Sequence, residues 1–158
     1  MHPKAIQDYY PDDVSHCFGC GRLNADGHHV RSFWEGEEAV ARFTPRPEHT
    51  AIPGYVYGGL LASLIDCHGT GTAAAAGYQA AGRELGSDPP LRYVTASLKV
   101  DYLRPTPMGV ELELRGRPVE VKGRKVRVEV RLLAAGAECA RGEVVAVQMP
   151  ATMGGASR

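Results

Sequence analysis

The stretch GGLLASLIDCHGTGTAAAAG, from Gly58 to Gly77, carries the strongest periodic signal in the chain. Leu60, Leu61, Leu64, Ile65, His68, Thr72 and Ala76 recur at helical spacing and make one broad face. The opposite face holds Ala62, Ser63, Asp66, Thr70 and Ala73, and nearly all of these are small. Small side chains let a strand or a second helix approach closely. The helix is therefore expected to be buried on most sides, and Asp66 with it. A carboxylate placed there loses water, which raises its reactivity.

Outward from the helix the pattern changes to period two. Upstream, two short strands are expected between His28 and Thr44, with a turn at Glu35-Gly36-Glu37; Ala39, Ala41 and Phe43 alternate with Val40 and Arg42. Pro45, Pro47, Pro53 and Gly54 mark an irregular link to the helix. Downstream, Arg83 to Pro90 reads as a loop and four strands follow. In the first, Val94, Ala96, Leu98, Val100 and Tyr102 oppose Thr95, Ser97, Lys99 and Asp101, and Pro105 and Pro107 end the run. Val110, Leu112 and Leu114 mark the second; Val126, Val128, Val130 and Leu132 mark the third. Gly123 and Gly136 supply turns, and a less regular strand runs from about Glu138 to Met149. The expected organisation is an arm or loop over 1–26, one α+β domain over 27–150, and a frayed tail over 151–158.

The 158 residues suffice for one domain that buries roughly 68–70% of its unfolded surface. Apolar residues are 44% and charged residues 23%, and the net charge is zero. No overall field draws the chain to nucleic acid or to an anionic membrane, so neither is an expected partner. No run of about 18 apolar residues is present, and the polar segment before Asp13 lacks the apolar centre of a signal peptide. Four cysteines are too few for a disulfide framework, which suits the cytoplasm. Arginine outnumbers lysine 14 to 4. Its planar fork suits phosphate, although coding bias is the plainer explanation.

Taken in order, the residues resemble the PaaI-like acyl-CoA thioesterases of the hotdog-fold superfamily. The matching pieces are Cys17-Phe18-Gly19-Cys20-Gly21, Phe43-Thr44-Pro45, Pro53-Gly54-Tyr55-Val56-Tyr57-Gly58-Gly59 and Leu64-Ile65-Asp66. Next come the run from Val94 to Pro105 and Gly123-Arg124-Lys125-Val126. The resemblance implies a long helix wrapped by a curved antiparallel sheet. It also implies a homodimer with sites at the subunit interface, often paired into a homotetramer. Where the family has histidine before the two glycines, this chain has Tyr57. Tyrosine donates a hydrogen bond but does not carry a proton near neutral pH.

Thioester hydrolysis needs a group that attacks or activates water, and donors for the developing oxyanion. Asp66 can be general base or nucleophile. Gly58 and Gly59 stand where the helix begins, where backbone N–H groups lack helical partners and the dipole favours negative charge. Tyr57 and Asp66 are nine residues apart, about 900° or half a turn, and so face opposite ways if the helix starts at or before Tyr57. One site would then take Tyr57 and the glycines from one subunit and Asp66 from the other. By resemblance, Thr95 is a candidate to position the attacking water, and Asp101, Arg124 and Lys125 lie at positions used around CoA. Arg124 and Lys125 suit its phosphates.

His16-Cys17-x-x-Cys20 with His28 and His29 has the outline of a zinc site. Only one Cys-x-x-Cys is present, however, and neither a metal nor a cofactor is expected. Asp66 and His68 are about 200° apart on the helix and cannot form a local acid–base pair; His68 reads as a core or interface residue. Two other functions fit parts of the pattern. One is a hotdog hydratase or dehydratase acting on acyl-CoA or acyl-carrier protein, which the missing histidine disfavours. The other is a non-catalytic acyl-CoA binder, which Tyr57 favours and Asp66 disfavours.

Overall fold

A computed structural model describes residues 3–150. After two short 3₁₀ turns (Ile6–Tyr9 and Asp12–Val14), the elements are β1 (Ser32–Glu35), β2 (Glu38–Phe43), α1 (Gly58–Ala80), β3 (Tyr93–Tyr102), β4 (Leu112–Lys122), β5 (Lys125–Ala134) and β6 (Ala137–Gln148). The six strands form one antiparallel sheet in the order β1-β2-β4-β5-β6-β3. Thus α1 packs on one face of the sheet, against β4, β5, β6 and β3. This is the α+β arrangement expected from the alternation of helical and period-two segments. The helix runs three residues past Gly77, and Gly36 has the positive φ of 66° that the β1–β2 turn requires.

The core sits between α1 and the sheet. Leu60, Leu61, Leu64 and Ile65 meet Leu112, Leu114, Val126, Val128, Val130 and Leu132. The alternation assigned to β4 and β5 is the one that points these side chains inward. In β2 it is not: Val40 is buried together with Ala39 and Ala41, because both faces of that short strand are covered. β6 is irregular because Cys139 has no ladder partner: Leu132 pairs with Ala140 and Leu133 with Glu138. Beyond that bulge, β6 presents Ala140, Gly142, Val144 and Ala146 to the helix. A Cβ on Gly142 would run into Ile65, and one on Gly69 would run into Val144. Small residues are what let helix and sheet come this close.

His68 belongs to this packing. It is fully buried, and burial pushes its pKa down to about 4. The ring is therefore neutral. Nε2–H donates to the Ala39 carbonyl at 2.9 Å, so Nδ1 accepts from Ser32 Oγ at 2.8 Å. Ser32 Oγ in turn accepts from Gln7 Nε2 at 3.1 Å, and the Ser32 N–H donates to Gln7 Oε1 at 2.8 Å. The network ties the segment around Gln7 to β1 and α1. His68→Leu keeps the bulk but removes two buried hydrogen bonds, leaving the Ser32 hydroxyl proton and the Ala39 carbonyl without this partner, each costing about 1–3 kcal/mol. Urea unfolding is expected to show a lower midpoint by that combined amount with an unchanged m-value.

Candidate active site

Asp66 is half-buried rather than fully buried. The small-residue face of α1 is only partly covered within one chain: Ala62, Ser63, Asp66 and Thr70 all keep some exposure. Thr95 Oγ1 donates to Asp66 Oδ1 at 2.6 Å. Its single hydroxyl proton is thereby used, so Thr70 Oγ1, 3.0 Å away, is the donor to Thr95. Thr70 lies one helical turn beyond Asp66 on the same face. Desolvation raises the Asp66 pKa above the ordinary carboxylate value; the Thr95 hydrogen bond offsets part of this, and the nearby Cys17 adds to it.

Strict alternation puts Thr95 on the outer, polar side of β3. The structure corrects this. Thr95 pairs with Ala146 and Ser97 with Val145, which leaves Ala96 as the extra residue of a β-bulge. The bulge shifts the phase by one. Tyr93 and Thr95 face the helix before it, and Val100 and Tyr102 face the helix after it. Without the bulge the hydroxyl could not reach Asp66.

A cavity of about 260 Å³ lies beside this carboxylate. Asp66, Thr70, Thr95, Cys17, Cys20 and Cys67 contribute to its wall, and Tyr10, Val14, Ala74, Leu91, Tyr93 and Val94 contribute apolar surface. The three cysteines were not joined by the sequence reading. Cys17 Sγ lies 3.8 Å from Cys67 Sγ, within reach of a thiol hydrogen bond in either direction, and the closeness of the three thiols pulls the Cys17 pKa down while pushing those of Cys20 and Cys67 up. Cys17 and Cys67 are 50 positions apart in the chain, so no local spacing could reveal the pairing.

Tyr57, Gly58 and Gly59 do not line this cavity. Tyr57 caps α1 with extended backbone and makes no side-chain cap hydrogen bond, so the first N–H groups of the helix remain available. The Tyr57 ring lies over the position a Gly59 Cβ would take. Tyr102 Oη donates to the Gly58 carbonyl at 2.7 Å, which fixes this end of the helix against the far end of β3. Asp101 is exposed on β3, where Lys99 lies 3.7 Å from its carboxylate. Arg124 donates to the Gln148 carbonyl at 3.1 Å, and Lys125 is exposed at the start of β5. Lys125 is level with Val147, which pairs with Val94. Asp101 is seven residues further along β3, about 20 Å away. One chain thus unites Asp66 with Thr95, and keeps Tyr57, Gly58 and Gly59 out of their cavity and Asp101 away from Arg124 and Lys125.

The family model of the thioesterase superfamily matches residues 53–140, which span α1, β3, β4 and β5, and the chain belongs to that superfamily with a hotdog fold. A thioesterase superfamily protein from Shewanella loihica is 52% identical, with a TM-score of 0.68 over 89% of this chain and 100% of that one. An acyl-coenzyme A thioesterase from Xenopus laevis is 33% identical over 87 residues, 55% of this chain. Those residues are 33% of the Xenopus protein, so the chain spans about a third of that relative. The phenylacetic acid degradation protein PaaI from Thermus thermophilus shares the fold, at 21% identity and a TM-score of 0.61 over 76% of this chain and 93% of that one. Among the described residues, no helix is long and apolar enough to cross a membrane.

Proposed function

We propose that this protein hydrolyses acyl-CoA thioesters to the free acid and CoA. The observation that carries this reading is the chain Thr70–Thr95–Asp66, which aims a partly desolvated carboxylate into a largely apolar cavity. Thr95 holds one carboxylate oxygen. The other is left to take a proton from water or to attack the thioester carbon. The acyl group lodges among Tyr10, Val14, Leu91 and Val94. The thioester oxygen, as it gains charge, is held by the N–H groups of Gly58 and Gly59, with Tyr57 as an added donor. Membership in the thioesterase superfamily and the Xenopus relative's acyl-CoA activity support the substrate class.

The site needs two copies of the chain. β3 is a ten-residue strand at the edge of the sheet, with Leu98 and Tyr102 exposed. A long unprotected edge invites pairing with another strand. A two-fold axis near Leu98 and Lys99 would pair β3 antiparallel with its own copy. Thr95 sits near one end of β3, on Asp66, and Tyr102 ends the strand, on Gly58. The axis therefore sets the helix N-terminus of the partner subunit opposite Asp66. It also carries Asp101 of the partner subunit toward the end of β3 that lies level with Lys125, so that Asp101, Arg124 and Lys125 flank one CoA. A tetramer would pair two such dimers. Free thiols at all four cysteines fit a reducing cytoplasm.

A thiol-release assay over aromatic and fatty acyl-CoA substrates tests the reaction. Wild type is expected to release thiol, and Asp66→Asn is expected to fail on the same substrates. Equal release by both proteins on every active substrate would remove Asp66 from the mechanism. The positioning role of Thr95 has its own signature. Thr95→Val loses a hydrogen bond to a charged group, about 1.5–3 kcal/mol. If that loss falls on the reacting geometry, kcat drops by about 10–100-fold with little change in KM. Thr95→Ser keeps the donor and is expected to restore most of kcat.

A further inference from the structure

Three thiols form a cluster that the proposed hydrolysis does not use. The sulfurs of Cys17, Cys20 and Cys67 lie within 4.8 Å of one another, and Cys17 Sγ is 3.8 Å from Cys67 Sγ. That separation is far beyond a disulfide bond of about 2.05 Å. It equals the edge, about 3.8 Å, of a tetrahedron whose sulfurs stand about 2.3 Å from zinc. Among the described residues, no other group of His, Cys, Asp and Glu side chains comes together this way. The histidines near this segment in the sequence are not part of it: the His28 ring packs on Phe18, Phe43 and His49 instead.

The loop around the sulfurs is built for them. In Cys17-Phe18-Gly19-Cys20-Gly21 the chain turns so that the Gly21 N–H donates to the Cys17 carbonyl at 2.7 Å. The Gly19 N–H points at Cys17 Sγ, 3.3 Å away. A backbone donor aimed at sulfur favours the thiolate, the form that binds metal. Both glycines are required by space. A Cβ on Gly19 would strike Cys67 Sγ, and one on Gly21 would strike the backbone of Ser15 and Cys17. The third sulfur comes from α1, one residue after Asp66.

We propose that Cys17, Cys20 and Cys67 bind one zinc(II) ion, with the fourth coordination position turned to the cavity and filled by water or a small solute. Sites with three protein ligands and one open position are an established zinc geometry. Each ligating thiol gives its proton to solvent, and the metal undergoes no redox change. The bound ion clamps the 17–21 loop to α1 and completes one wall of the cavity. The sequence alone offered a single Cys-x-x-Cys; the helix supplies the ligand that was missing. Nothing in this assignment depends on the thioesterase reading.

Cobalt(II) reports on such a site by absorbance, independently of activity. The full chain is stripped with a chelator under a phosphine reductant and titrated with cobalt. One equivalent is expected to give an intense thiolate-to-cobalt charge-transfer band, and zinc is expected to abolish it. Cys17→Ser and Cys67→Ser should weaken cobalt binding by more than the roughly 10–100-fold that outer-shell changes cost. Gly19→Ala, which keeps every sulfur, should also weaken it. Cys139→Ser, at a buried thiol outside the cluster, should leave the band intact, and circular dichroism checks that each variant is folded. The proposal is overturned if the wild-type chain shows no such band at one equivalent. It is equally overturned if folded Cys67→Ser keeps the band, or if zinc does not slow the reaction of wild-type thiols with a disulfide reagent.

Discussion

Asp66→Asn is expected to lower kcat for acyl-CoA hydrolysis by about 10²–10⁴-fold, the usual contribution of a positioned acid–base group. In barrier terms that is about 3–5 kcal/mol. The substitution isolates the chemistry because it disturbs little else. Asparagine has the same shape, and its Oδ1 can still accept from Thr95, so the Thr70–Thr95 chain survives. What is lost is the ability to take a proton from water or to attack carbon. KM is expected to move little, since in the proposed pose the acyl group rests on the apolar wall of the cavity and not on the carboxylate. A variant that bound acyl-CoA normally and hydrolysed it at the wild-type rate would leave the cavity as a binding site without this catalyst.

In the proposed mechanism, the reactivity of Asp66 would come from the combination of two local choices. The helix offers small neighbours, so the carboxylate is partly stripped of water and its pKa is raised. The bulge at Ala96 turns Thr95 inward to hold one of its oxygens. Desolvation without the threonine would leave a mobile carboxylate. The threonine without desolvation would leave an ordinary one. A bulge beside a reactive group is a common way to re-aim one side chain while the rest of the strand keeps its pairing.

The fold was legible because its signals are local. The stripe from Leu60 to Ala76 marks the helix, and alternation in β4 and β5 marks the sheet face that meets it. The place of Asp66 on the small-residue face was legible as well; its catalytic role was offered by the family resemblance and is part of the proposal. The orientation of Thr95 was not. Thr95-Ala96-Ser97 carries no glycine or proline to announce a bulge, so alternation puts the hydroxyl on the wrong side. The thiol cluster was hidden for a different reason. It joins a loop to a helix 50 residues away, and only tertiary packing brings Cys67 under Gly19. Helical phase separates Tyr57 from Asp66 only if the helix includes Tyr57; α1 starts at Gly58 and Tyr57 is its extended N-cap, so their separation is seen instead in the absence of Tyr57 from the wall of the Asp66 cavity. The shared site proposed from that separation can be tested directly.

Mixing two inactive variants is expected to restore activity. Asp66→Asn removes the carboxylate from a chain but leaves its helix N-terminus intact. Gly59→Val does the reverse: a side chain at 59 displaces the Tyr57 ring and crowds the N–H groups, while Asp66 and Thr95 are untouched. Each variant alone should lose most of its kcat as a homodimer. After unfolding and refolding together, half of the dimers carry one chain of each kind. If Asp66 works with the partner's helix N-terminus, each mixed dimer has one site with both parts intact and one with neither. Random pairing in a two-fold dimer then returns about a quarter of the wild-type activity. If both parts came from the same chain, every site in every dimer would carry one lesion, and mixing would restore nothing. A charged residue on the β3 edge, such as Leu98→Asp, should give monomers in light scattering with the same loss of activity, because Leu98 is exposed in the single chain and would be covered in the proposed pair. Full activity in such a monomer would place the oxyanion donors within one subunit and overturn the shared site.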